Sequence, residues 1–227
     1  MNYLGYTILF YTTSYLVFFV LLWLSKKKEG IRLLDEYGFA SNPRVLIILH
    51  IGGLILFGML PSLSNHVSSF ALYNMVALGN LSTWIPVLVA IVFIIISPRV
   101  AEKKYRRIVY NAPLNTALSN EFIIVYFFAR ISFICAYESW FRGYLLHDSV
   151  ISFGAPLAII LNVSLYALLH MANGKMEMVA CIPFGLLLCI LCIWQGAVWP
   201  SIIIHLALTI PYEISFTQKL KTYKAAI

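Results

Sequence analysis

The sequence predicts an all-α fold: a polytopic membrane helix bundle of about seven transmembrane helices, with the amino terminus outside. Three observations predict it. Of the 227 residues, 61% are hydrophobic and only 11% charged, with a mean hydropathy of +0.87, whereas a soluble domain carries about 25% charged residues. Apolar runs fall at 4–24, 45–60, 70–97, 121–146, 155–171, 177–194 and 197–217, most of them near the roughly 20 residues that a helix needs to span hydrocarbon. The basic residues, finally, collect on one side of that pattern. Together these exclude a soluble globular enzyme, a disordered chain and a nucleic-acid-binding domain. The implied surroundings are a lipid bilayer, and the expected location is a multi-pass position in the cell membrane.

The first run is too long for a signal-peptide core, lacks a basic start and is followed by no small-residue cleavage site, so it reads as a retained helix stopped by Lys26-Lys27-Lys28. With the amino terminus outside, the cytoplasmic segments are 25–44, 98–120, 172–176 and the tail after 217. They hold Lys26, Lys27, Lys28, Arg32 and Arg44, then Arg99, Lys103, Lys104, Arg106 and Arg107, then Lys175, then Lys219, Lys221 and Lys224. The expected outer loops hold none, as the positive-inside rule requires. The chain divides accordingly into three amino-terminal transmembrane helices (1–97), a basic cytoplasmic segment (98–120), a core of four transmembrane helices (121–217) and a basic tail (218–227). The segment 98–120 contains Pro113 and several Asn, and reads as an interfacial loop or a short amphipathic helix. Lys224, not Cys, stands fourth from the end, so the chain is not expected to be a prenylation substrate.

Arg130 and Arg142, the two basic residues outside those segments, fall inside the fourth run with Glu138, while His170 and His205 belong to the fifth and seventh. An ionisable group costs at least about 2.5–3.5 kcal/mol in hydrocarbon, so such groups face the bundle interior and mark function. The first three runs carry almost nothing of the kind except His50. Cys135, Cys181, Cys189 and Cys192 all lie in apolar runs and read as small packing residues, not as a disulfide or redox framework.

Glu138 and Arg142, four apart, share a helix face and form a self-neutralising pair, with Arg130 near enough to that face to compete for the carboxylate. Asn162, Tyr166 and His170 recur every four residues as a polar stripe, and His205 shares a face with Thr209. Two His, one Glu and one Arg on neighbouring helices point to a water-admitting site capable of hydrolysis. Glu takes a proton from water, and His donates to a developing oxyanion or binds a metal. Counted from the expected outer ends, Glu138 and His205 both lie about 13 Å deep, at 1.5 Å per residue, whereas His170 falls some two turns deeper.

The order and spacing of these segments resemble the CPBP family of intramembrane proteases, which includes the type II CAAX prenyl proteases. That family's signature is E-E-x-x-x-R, F-x-x-x-H and H-x-x-x-[ND]; here the three stand as Tyr137-Glu138-x-x-x-Arg142, Tyr166-x-x-x-His170 and His205-x-x-x-Thr209. The resemblance covers about 121–217. It implies a membrane-embedded endopeptidase acting on a membrane-anchored protein or peptide, of which a prenylated one is an example. Glu138 would be the base, His170 and His205 would position water or hold the oxyanion, and Arg142 would be the orienter. Asn162, Tyr166, Tyr137 and Thr209 would support them. Tyr137 stands where the family has its first, water-activating Glu, and Thr209 where it has Asn or Asp. A catalytically silent relative that binds membrane proteins or peptides in the same cavity is therefore the alternative. A proton-coupled carrier using Arg130, Glu138, His170 and His205 is a third reading, disfavoured by the lack of an internal repeat. Glu138, His170 and His205 are ligand types that an open zinc site uses; with no H-E-x-x-H motif, no bound metal is expected.

Overall fold

The computed structural model describes residues 3–29, 34–35, 38–39, 43–63, 81–109 and 119–225. Arg32, Pro113 and the 70–80 part of the third apolar run lie outside the described residues, as do the side chains of Lys26, Lys27, Lys28, Arg106, Arg107, Lys219, Lys221 and Lys224. The architecture is helical. Helix α1 (Tyr3–Glu29) is followed by a two-residue antiparallel pairing of β1 (Leu34–Asp35) with β2 (Gly38–Phe39). Next comes α2 (Pro43–Leu54), which passes through a π turn, Ile55–Met59, into α3 (Leu60–Leu63). The remaining rods are α4 (Trp84–Val109), α5 (Asn120–Glu138), α6 (Leu146–Phe153), α7 (Ala155–His170), α8 (Lys175–Gln195) and α9 (Trp199–Ala225). A π segment, Ser139–Leu145, joins α5 to α6 without a break.

Each expected apolar run is thus helical where it is described. Among the described residues, five stretches are long and apolar enough to cross a membrane: Ile8–Ser25, Trp84–Lys104, Asn120–Phe153, Ala155–Asn173 and Lys175–Gln195. Arg44–Met59 is a shorter apolar helix, and α9, which carries His205, Thr209 and Glu213, is not among the five. The outward faces are apolar, with Phe128, Ile151, Leu157, Ile160 and Val179 exposed, as contact with lipid tails demands. Helix α4 runs on through Pro98, so the first half of the basic segment continues the third rod.

The proline positions show how the bundle satisfies its backbone. Pro211 in α9 has no N–H to offer the carbonyl four residues back, that of Ala207. The Ser97 hydroxyl of α4, which donates to the Phe93 carbonyl of its own helix at 2.5 Å, lies 3.4 Å from that oxygen. Gln195 donates to the Ser82 carbonyl at 2.9 Å, so the contacts between α4 and the segment 195–207 advance in the same direction along both. Helices α4 and α9 are therefore parallel neighbours, and the basic carboxyl-terminal half of α4, with Arg99, Lys103 and Lys104, lies at the end of the bundle towards which α9 runs.

The fourth rod ends later than the sequence suggests. His147, Asp148 and Ser149 look like a loop, yet they stay helical, and the Asp148 carboxylate accepts the Tyr11 hydroxyl of α1 at 2.7 Å. The chain reverses at Gly154, whose φ of 79° and ψ of 162° lie in a region essentially closed to residues with a Cβ. Glu138 lies as many residues before Gly154 as His170 lies after it, which brings the two level. The two-turn mismatch expected from an end near 146 is thereby removed.

Around the π segment the core is aromatic. Phe57 from the second rod packs on Trp140 with ring centroids 4.9 Å apart and on Phe18 of α1 at 4.7 Å, and Tyr137 packs on Phe141 at 4.6 Å. Such pairs add about 0.5–1.5 kcal/mol each beyond burial. The amino-terminal helices thus wall one side of the core around the π segment.

Gly154→Ala forces a Cβ into that closed backbone region and should destabilise the fold by about 1–3 kcal/mol. Thermal unfolding of the detergent-purified protein should show a lower Tm; an unchanged Tm would mean that the reversal does not have this geometry.

Candidate functional site

The site is built where α5 becomes the π segment. π bulges are rare and recur at functional sites because they shift side chains out of the 3.6-residue register. Here the segment covers the whole stretch from Ser139 to Leu145, and the Leu146 N–H reaches the Phe141 carbonyl. Asn162 of α7 donates to that same carbonyl at 2.6 Å and accepts from the Cys189 thiol at 3.3 Å. Asn162 therefore locks α7 and α8 onto the π segment.

Glu138 is fully buried, and its Oε1 stands 2.5 Å from His205 Nδ1. Arg142 Nη1 lies 3.1 Å from Oε2 of the same carboxylate. The guanidinium carbon of Arg142 sits 4.1 Å from the centroid of the Tyr166 ring, a cation–π contact that lets a desolvated cation rest against an aromatic wall. Gly185 of α8 makes the approach feasible: a Cβ there would lie 3.2 Å from Tyr166 Cδ1 and 3.4 Å from Arg142 Nη2. The spacing read from sequence as an ion pair is thus an ion pair, with His205 as an additional partner.

The hydrogen bonds also set the histidine tautomers. His205 gives its Nδ1 proton to the Glu138 carboxylate, which leaves the lone pair of a neutral ring on Nε2. His170 Nδ1 lies 2.9 Å from the Tyr166 carbonyl, which can only accept, so its lone pair also falls on Nε2. Tyr137 lies between the two rings, with centroids 6.2 Å from His205 and 6.4 Å from His170.

Both histidines line two cavities. A small one of about 50 Å³ is bounded also by Tyr137, His50, Arg130 and Asn173. A larger groove of about 590 Å³ runs among α4, α8 and α9, past Phe93, Phe184, Leu187, Leu208 and Thr209, to Lys104 and Glu177. The imidazoles stand at the junction. Glu138 lines neither space.

Arg130, expected near the Glu138 face, takes other partners. Its Nε lies 3.2 Å from Glu213 Oε1, and its Nη1 donates to His50 Nε2 at 3.2 Å. Glu213 Oε2 accepts the Tyr126 hydroxyl at 2.9 Å. This second buried network joins α2, α5 and α9 (the sequence reading singled out Arg130 and His50 but missed Glu213). Its signal was present: His205, Thr209 and Glu213 recur every four residues along one face. Asn173 was missed too, being one polar residue in a turn. Cys181, Cys189 and Cys192 are buried and unbridged, and Cys135 is part-buried and unbridged.

No group of three His, Cys, Asp or Glu among the described residues is arranged to hold a metal ion. Glu138 is engaged by His205 and Arg142, so the trio Glu138, His170 and His205 does not present itself as a ligand set.

Fold and site together define a membrane-embedded helix bundle with a buried Glu–His–Arg cluster opening on two cavities. Residues 119–210 match the model of a family described as type II CAAX prenyl endopeptidase Rce1-like, which supports CPBP family membership and, with the five apolar helices, an integral membrane protein. No curated protein and no solved structure gives a match.

Removing one partner of a buried ion pair leaves an uncompensated charge and costs about 3–5 kcal/mol. Arg142→Met should therefore destabilise the protein by that amount, and Arg142→Met combined with Glu138→Gln by markedly less than the sum of the single changes. Denaturant unfolding in detergent for the four proteins of this cycle checks the coupling; additive effects would contradict the pairing.

Proposed function

We propose that the protein is an intramembrane endopeptidase that hydrolyses a membrane-tethered protein or peptide, with His205 as the general base. The observation that carries this reading is the His205–Glu138 contact beside His170 at the junction of two cavities. In this reading Glu138 is the carboxylate that orients the base, a division of labour that hydrolases on unrelated folds also use. Arg142 fixes the carboxylate in turn.

The larger groove, with apolar walls and a mixed-charge rim, holds the lipid-tethered segment so that a peptide carbonyl meets the two rings. His205 Nε2 takes a proton from water as the water oxygen attacks the carbonyl carbon. His170 lines the same space beside it and bounds the water's position. The buried carboxylate stabilises the imidazolium that forms. As the C–N bond of the tetrahedral intermediate breaks, the imidazolium returns its proton to the amine nitrogen, and an acid and an amine leave.

A second reading, a silent relative that binds such substrates without cutting them, is favoured by one feature. None of the described residues lining the small cavity is Asp or Glu, and Tyr137 occupies the place of the family's first Glu. The two readings separate in one assay, cleavage of a panel of prenylated carboxyl-terminal peptides by the protein in liposomes. The endopeptidase reading expects product from the native chain and at least a roughly hundredfold lower rate for His205→Ala, the usual scale of general acid–base catalysis. The silent reading expects no product from the native chain and new activity from Tyr137→Glu with Thr209→Asn. Equal rates for native protein and His205→Ala would overturn the endopeptidase reading.

A further inference from the structure

We propose that Tyr137 and Asn173 form a water-binding site behind the two histidines, and that this water is the nucleophile of the hydrolysis; the second half rests on the endopeptidase reading. Tyr137 is 4% exposed and Asn173 5%, and both line the 50 Å³ cavity together with His170 and His205. Neither Tyr137 Oη nor Asn173 Oδ1 has a hydrogen-bond partner among the described residues. A buried polar atom left so costs about 1–3 kcal/mol, so two of them on residues that line one small space call for an occupant that answers both.

The chemistry of the two atoms specifies that occupant. Asn173 Nδ2 donates to Glu177 Oε1 at 2.5 Å. The opposite amide orientation would set an acceptor against a carboxylate, so the amide oxygen is the atom left without a partner. It only accepts. The Tyr137 hydroxyl donates, and the imidazole Nε2 lone pairs accept. Water satisfies the set: one hydrogen to Asn173 Oδ1, the other to an imidazole Nε2, and a lone pair to the Tyr137 O–H. The volume admits it, because a water needs only about 10–15 Å³ of such space, whereas a peptide or acyl chain needs far more. Arg130 also faces the cavity, but Glu213 matches its charge, so the space holds no excess positive charge that demands an anion.

The frame around the two residues is stiff. The Tyr137 ring is wedged between Phe141 at 4.6 Å, Phe133 at 5.5 Å and Phe57 at 5.7 Å. Asn173 closes the 3₁₀ turn Met171–Asn173 that begins one residue after His170, and the turn is sealed by Gly174 at φ 117°. One turn therefore places an imidazole and the water's acceptor together. The residue in the position of the family's first Glu is in this account a positioning residue: it holds the water and leaves proton removal to His205.

Two measurements test this. The first is an experimental structure of the native protein that resolves ordered water. A water within about 3.2 Å of both Tyr137 Oη and Asn173 Oδ1 is expected, and a dry cavity, or another side chain filling it, overturns the proposal. The second is kinetics of Tyr137→Phe, which keeps the ring and deletes the hydroxyl, with Asn173→Leu as the companion change. Loss of one such hydrogen bond should lower kcat about tenfold and leave KM within about twofold. Native kcat in Tyr137→Phe overturns the catalytic half. A native protein that holds the water but cleaves no peptide supports the water site and overturns the endopeptidase reading.

Discussion

One carboxylate organises this molecule. Glu138 sits where neither water nor lipid can solvate its charge, and Arg142 and His205 are what make it tolerable there. A lone ion in that position would be prohibitively costly, whereas a paired and hydrogen-bonded one holds its neighbours in place. Through Arg142 the constraint reaches the Tyr166 ring and the close approach at Gly185, and through His205 it reaches α9. Four helical segments are thus tied to a single side chain, and the orientation of the His205 ring follows from the same bond that neutralises the charge.

The second network, Arg130 with Glu213, His50 and Tyr126, follows the same logic. Each buried Arg has one Glu, and each set carries one imidazole that faces the small cavity. Because the two sets are separately balanced, Arg130 does not draw on the Glu138 carboxylate. Both sets border the small cavity, and a groove of mainly apolar lining lies outside it.

Much of this was legible in the sequence. Low charge and seven apolar runs establish the helical membrane bundle, because hydrocarbon admits only segments that satisfy their own backbone. The four-residue spacing of Glu138 and Arg142 gives the ion pair, and the spacing of Tyr166 and His170 gives a stripe whose carbonyl and ring meet. What failed has physical causes. A π segment has no signature in 3.6-residue periodicity, so the continuity from Glu138 to Phe153 was hidden and His147-Asp148-Ser149 looked like an end. That error alone produced the false depth of His170. The partners of Asn162, the Phe141 carbonyl and the Cys189 thiol, are revealed by no pattern of side chains, because the partner carbonyl turns with the backbone. Tyr137 read as a lost Glu; only its surroundings show a buried hydroxyl on a residue that lines the small cavity.

The bond between His205 and Glu138 is the central claim, and nitrogen-15 NMR of the histidine-labelled protein in lipid addresses it directly. The account expects Nδ1–H signals from both His205 and His170, of which the one assigned to His205 shifts strongly or vanishes in Glu138→Gln and is unmoved in Glu213→Gln. A His205 signal indifferent to Glu138→Gln, or one showing its proton on Nε2 in the native protein, would contradict the account.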